Sequence, residues 1–339
     1  MVRRLLAVCF TAVAGLVLTG GAALACGGLV APGHAEVLQK ATTLVAWHNG
    51  FEHYVTGFQF AGTAGSFGYI IPLPGNPTKI QKGGNWTLER LEREINPVKE
   101  LAFAALADAP ASAHVAVLQQ VKIDALDITV VRGGGPDVAK WAKANGFDLT
   151  TDTPKVLGAY SSKGAVFALA RFDRNEAAKR HLVQGQGQVI EFTIPTKAPW
   201  VPLRILALGK GRLEAVDADL FALTDHDPQF APGLEGMPGM QIRQEGPASE
   251  QLLADLRSDR AMGWLPTKGM WLTAMTLHTK AWTVNYDLSI DGGGPPLAAG
   301  VAAVPGTPGW VWLAIAMLGA VTVGVWLVWR PDRPTLRPA

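Results

Sequence analysis

Residues 310–329, WVWLAIAMLGAVTVGVWLVW, constrain this chain more than any other stretch. They carry no charge and number about twenty, enough for a helix to cross a hydrocarbon core about 30 Å thick. Lipid offers no partner to a bare N–H or C=O, so such a span must be helical. Trp310 and Trp312 at one end, and Trp326 and Trp329 at the other, stand where interfacial belts stand. Arg330, Arg333 and Arg337 follow, opposed only by Asp332. The positive-inside bias then puts the tail, 330–339, in the cytoplasm and everything before residue 310 outside. The competing reading is a buried core helix. It is set aside because the stretch shows no amphipathic stripe.

The other end of the chain agrees with export. Arg3 and Arg4 precede an apolar run at 5–18, short for a span, and Ala23-Leu24-Ala25 has the small-x-small form of a cleavage site. Residues 1–25 therefore read as a signal peptide, and Cys26 as the mature N-terminus. Cys26 is also the candidate for lipidation, although Ala23 stands where a lipoprotein signal usually has Leu. The only other cysteine, Cys9, lies in the leader. No internal disulfide can form in the mature chain, so its fold must hold by packing.

Between Cys26 and Gly309 there are 25 basic and 27 acidic residues, with no basic run. That balance argues against nucleic acid as a partner. Residues 26–290 are long enough for one domain or for two lobes meeting at 172–189. Residues 291–309, DGGGPPLAAGVAAVPGTPG, have no periodicity and read as a tether with a coil span of about 25 Å.

The β-rich runs 41–47 and 52–60 flank His48-Asn49-Gly50-Phe51, and Asn-Gly supplies the two positive-φ residues of a type I′ hairpin turn. A third strand, 66–73, must end near Pro72 and Pro74 or lie at an edge. Leu88, Leu91, Ile95, Val98 and Leu101 recur at helical spacing, which predicts a helix over 87–106 that breaks at Pro97. Residues 115–131 read as strand with a break at 122–125. Residues 137–145 read as a helix ended by Gly146. A helical turn or two follows at 154–161. Further strands are expected at 165–172, 189–194, 201–208, 213–223, 270–278 and 283–290. A helix is expected at 249–262, and 225–247 reads as a long loop rich in Gly and Pro. The fold class is α+β: antiparallel sheets with a few short helices, between the signal peptide and one transmembrane helix.

Four places carry a family likeness. They are Cys26-Gly27-Gly28 after the leader; FGYIIPLPGNP at 67–77; KIDALDITVVRGGGPDVAKWAKANGFDL at 122–149 followed by VLGAYSSKGAVFALARF at 156–172; and IPTKAPWVPLRILALG at 194–209. Asp287 in YDLSI fits as well. In this order they resemble the bacterial domain-of-unknown-function family DUF2330, over roughly 26–290. The resemblance implies an exported, membrane-held bacterial protein. It implies no activity, so no catalytic residue is carried over from it.

The chemistry-bearing residues support bland readings. No pair among His34, His48, His53, His114, His181, His226 and His278 has zinc-site spacing. His48 and His53 read as solvated residues flanking a turn. Asp225-His226-Asp227 reads as a turn before Pro228 rather than a cation site. Asp217 and Asp219 share a strand face, which reads as wet. Ser161-Ser162-Lys163 lacks nucleophile context. Trp47, Trp86, Trp141, Trp200, Trp264, Trp271 and Trp282 are scattered singly, as packing residues.

No catalytic, cofactor or metal site is assigned, and no cofactor is expected. The expectation is a membrane-anchored extracytoplasmic domain at the plasma membrane. It would be a non-enzymatic binding module for an envelope component or partner protein, touching lipid through its C-terminal helix. The alternative is an extracytoplasmic enzyme whose site is assembled from residues distant in sequence. Mass spectrometry of the mature protein should find Cys26 as the first residue. Retention of Met1 would contradict the leader, and added acyl mass would show lipidation.

Overall fold

The computed structural model describes residues 28–30, 40–59, 68–96, 116–147, 149–160, 164–181 and 187–294. The expected signal peptide, Cys26, Ser161-Ser162-Lys163, most of the expected tether, the expected span and the tail lie outside the described residues. So does the second half of the helix expected over 87–106.

The Asn-Gly hairpin forms as its sequence dictates. After the short β1 (Gly28–Val30), β2 (Ala41–His48) and β3 (Phe51–Gln59) pair antiparallel. Asn49 and Gly50 between them have φ of 51° and 83°. β4 (Gly68–Leu73) ends at the Pro72-Leu73-Pro74 segment, and β5 (Lys79–Lys82) follows. α1 (Trp86–Ile95) stops at Asn96, one residue before Pro97. β6 (Ala116–Ile123) and β7 (Leu126–Arg132) are a hairpin, and the expected break is its two-residue turn, with Asp124 at φ 56°.

α2 (Gly135–Ala144) is closed by Gly146 at φ 80°. α3 (Thr153–Gly158), β8 (Val166–Phe172), α4 (Arg174–Lys179) and β9 (Gly187–Pro195) come next. Then follow β10 (Trp200–Val201), β11 (Ala215–Thr224), β12 (Phe230–Ala231) and β13 (Met240–Pro247). α5 (Glu250–Arg257), β14 (Trp271–Lys280) and β15 (Leu288–Ile290) complete the described chain. Ser249 caps α5 by accepting from the Leu252 N–H at 3.1 Å.

The strands build a seven-stranded sheet, β13-β14-β11-β2-β3-β9-β5, and a five-stranded sheet, β1-β4-β8-β7-β6. A small third sheet runs β10-β15-β12. Among the described residues every pairing is antiparallel except β11 with β2. One core lies between the two large sheets. Tyr54, Phe58 and Phe192 meet Tyr69, Ile128 and Ala168 there, and the Phe58 and Tyr69 rings pack edge-on at 5.2 Å. A second core lies outside the seven-stranded sheet, where Leu44, Val55 and Phe221 are covered by Leu91 of α1 and by Leu253 and Leu256 of α5. A third lies outside the five-stranded sheet, where Ile70 and Phe167 are covered by Val138, Trp141 and Leu157 of α2 and α3. The described fold is thus helix on sheet on sheet on helix, an α+β architecture dominated by antiparallel pairing.

Several expected boundaries are corrected. The third strand, expected to end near Pro72 or lie at an edge, runs through Pro72 to Leu73 as β4, paired with β1 and β8. The strand expected at 201–208 stops at Val201, the end of β10, because Pro202 has no N–H to give. The chain passes instead into a 3-10 turn, Arg204–Ala207. Residues 225–247 are not all loop. β13 is an eight-residue edge strand whose outward side chains are solvated, so it lacks the apolar alternation that marks a half-buried strand. The helix expected at 249–262 ends at Arg257. The strand expected at 283–290 begins only at Leu288.

Gly135 shows how close packing selects a residue. A Cβ there would lie 1.7 Å from the Leu157 carbonyl oxygen, whereas one at Gly158 would meet nothing within 4 Å. Gly135→Ala should therefore destabilise by about 1–3 kcal/mol or prevent folding, as overpacking does. Gly158→Ala should be neutral or stabilise by up to about 1 kcal/mol. Denaturant melts of the two variants test this contrast.

Candidate functional site

Three neighbouring strands of the seven-stranded sheet carry a polar row on the face that α1 and α5 cover. Period-two alternation puts His53 of β3 and Glu191 and Thr193 of β9 on this face, and Gln81 of β5 pairs in register with Glu191. The Glu191 carboxylate is fully buried. Its Oε1 meets His53 Nδ1 at 2.7 Å and accepts from Thr193 Oγ1 at 2.7 Å; its Oε2 accepts from Gln81 Nε2 at 2.6 Å. The Trp264 indole roofs the row, stacked on the His53 ring at 3.5 Å and 7°. A carboxylate on Nδ1 fixes the tautomer and leaves Nε2 as the basic nitrogen. Chemically this is an oriented imidazole. The carboxylate that orients it also holds two other strands.

On the opposite face, Glu52 points inward beside β10. Its Oε2 accepts from the Trp200 N–H at 3.0 Å, and its Oε1 has no hydrogen-bond partner. Burial pushes its carboxyl well above the usual range, against the one N–H that lowers it. A second buried acid, Asp287, accepts from Tyr160 Oη at 2.9 Å and from the Arg204 N–H at 3.0 Å. Burial raises Asp287, with Arg204 and Tyr160 opposing; burial and the neighbouring Asp287 raise the Tyr160 phenol.

A third group spans β2, β11 and α1. Asp219 pairs with Lys40, and Thr42 Oγ1 donates to Glu92 Oε1 at 2.8 Å. Burial raises both Asp219 and Glu92, with Lys40 opposing in each case. A small, mostly apolar hollow beside α1 is lined by Gly57, Asn85, Leu88, Glu89 and Val189 among others.

The candidate residues read from sequence fare differently. Cys26 lies outside the described residues. His53 is not solvated; it is buried against Glu191 and Trp264. His48 stays at the turn, where its Nδ1 reaches Asp225 at 2.5 Å. Asp219 is not on a wet face, because α1 covers that side of β11, while the half-buried Asp217 pairs with the exposed His278. His226 of the Asp225-His226-Asp227 trio contacts Asp291 at 3.3 Å. Among the described residues no group of three or more His, Cys, Asp or Glu side chains could hold a metal ion. Of the tryptophans, Trp141 and Trp200 are buried, as packing residues should be, and Trp282 is exposed. Nothing local in the sequence marks Glu52 or Glu191, because polar residues in strands read as solvent-facing until the covering layer is known.

The family model described as an uncharacterised protein conserved in bacteria, DUF2330, matches residues 20–235. The chain belongs to this family. A comparison with curated proteins finds no match. Among solved structures the chain is similar to a mutated baculovirus P35 after caspase cleavage. The identity is 10% and the TM-score 0.41, covering 73% of this chain and 98% of that one. It is similar also to baculovirus P35 itself, at 10% identity and TM-score 0.39, covering 77% and 95%. At that overlap neither likeness bears on what this DUF2330 member does.

The Glu52 geometry has a consequence in pH. A carboxyl raised in the folded state favours folding below its unfolded value, near 4.3, and that contribution is lost as pH rises through the folded value. Glu52→Gln keeps an acceptor for the Trp200 N–H and cannot ionise. It should raise stability at pH 8 by roughly 1–4 kcal/mol and leave it little changed at pH 4. Denaturant melts at the two pH values measure the difference.

Proposed function

We propose that this DUF2330 member is an exported domain held on the outer face of the plasma membrane by one C-terminal span, and that it acts by binding another envelope component. The observation that carries the topology is the charge-free stretch 310–329 with Arg330, Arg333 and Arg337 behind it. The leader at 1–25 supports the same reading. Among the described residues no helix is long and apolar enough to cross a membrane. Binding rather than catalysis is supported by how the buried polar groups are used. His53, Glu191 and Asp219 are each engaged with neighbours that fasten one element to another.

The second reading, an extracytoplasmic enzyme, draws on the His53–Glu191 pair alone. In this fold Trp264 covers the face of that imidazole. Replacing Trp264 by Ala would therefore increase any hydrolytic activity if the indole were a lid, and would only lower stability if it is packing.

Protease treatment of intact cells or spheroplasts should digest the domain and leave a protected fragment containing 310–339. Purified full-length protein should retain a component of envelope extracts. A domain protected in intact cells contradicts the topology. A domain that is outside yet retains nothing from any envelope fraction contradicts the binding role.

A further inference from the structure

Two exposed apolar side chains sit where the β11–β14 ladder ends. Leu213 is 74% exposed and Trp282 is 54% exposed. The ladder runs to the pair Ala215 and Lys280, and the two segments keep bonding beyond it. Ala281 N–H donates to the Glu214 carbonyl at 2.9 Å, and Trp282 N–H to the Arg212 carbonyl at 3.3 Å. Leu213 and Trp282 therefore lie on adjoining segments just beyond the ladder, Trp282 in a 3-10 turn, Ala281–Thr283. The Arg212 guanidinium lies over the indole, 5.7 Å from its centroid.

The charge beside this pair is biased. Arg212 and Lys280 are exposed on either side, against the single exposed acid Glu214. Asp217, farther along β11, is taken up by His278. Among the described residues Phe51 and Leu234 are 40% and 42% exposed, so Leu213 and Trp282 are the most exposed of the large apolar side chains, and apolar surface left in water adds nothing to folding. Trp and Arg are the residue types that dominate binding energy at protein interfaces, and apolar anchors ringed by charge are their usual setting.

We infer that the Leu213–Trp282 end of the β11–β14 ladder is a docking surface for a second envelope protein, one that presents an apolar pocket rimmed by carboxylates. Trp282 and Leu213 fill the pocket, and Arg212 and Lys280 meet the acidic rim. The inference rests on the proposed extracytoplasmic binding role and names the surface and the partner chemistry for it.

Site-specific photocrosslinking in the full-length protein tests it. Leu213 is replaced by p-benzoylphenylalanine, and the adduct formed in intact cells is identified by mass spectrometry. The expected result is an adduct with a protein bearing acidic residues at the crosslinked site. Its yield should fall about tenfold or more with Trp282→Ala and with Arg212→Glu, and Arg212→Lys should retain most of it. Unchanged protease resistance of the folded domain shows that these surface changes leave the fold intact. An adduct with phospholipid, an adduct with a second copy of this chain, a yield indifferent to both substitutions, or no adduct overturns the docking surface. Labelling of the domain from outside intact cells, done in parallel, separates the two failures. Absence of labelling strikes the extracytoplasmic role, whereas an accessible domain without the adduct strikes only the surface.

Discussion

The parallel pairing of β2 with β11 is the join on which the described fold depends. Residues 41–46 lie beside 218–223, so segments far apart in sequence meet at the centre of the seven-stranded sheet. On one side of the join the hairpin β2–β3 carries β9 and β5. On the other, β11 carries β14 and β13. No local turn can specify such a pairing, and closing so long a loop has an entropic cost that only burial can offset. Both faces supply that burial. Val45, Val216, Ala218 and Leu220 enter the core between the sheets, while Leu44, Ala46, Phe221 and Leu223 lie under α1 and α5.

Buried polar groups then fix what apolar packing leaves adjustable. Glu191 links three strands, Asp219 and Lys40 sit at the start of the β2–β11 join, and Asp287 ties the last strand to the 3-10 turn at Arg204 and to Tyr160. Removing one partner of such a pair strands the other in a medium that cannot solvate it, so these contacts penalise wrong registers more than they add net stability. Of the side chains singled out in the sequence, His53 and Asp219 are spent this way, whereas His48, Asp217 and His226 make pairs near the surface.

What was legible in the sequence follows the range of the interaction. Asn49-Gly50 gave its hairpin and Gly146 ended its helix, because each is decided within a few residues. β13 was hidden because an edge strand with a solvated face has no pattern of its own and exists through its pairing with β14. Residues 201–208 misled in the opposite direction: an apolar run resembles a strand, yet Pro202 turns it into a buried 3-10 segment. The burial of His53 and Asp219 depends on α1, α5 and Trp264 arriving from elsewhere in the chain, so period-two alternation could assign their face and not its cover. Family membership was legible because the DUF2330 motifs occur in order, whereas the docking end had no motif.

If the β2–β11 join is the fold's keystone, the two halves of the large sheet cannot open separately. Native-state hydrogen exchange, read amide by amide across β2, β3, β11 and β14, measures this directly. The account predicts that the ladder amides of β2 and β11 are the slowest group and share one opening free energy, equal to that of global unfolding. Loss of protection in β11 and β14 while β2, β3 and β9 stay protected would show two independent halves and contradict it.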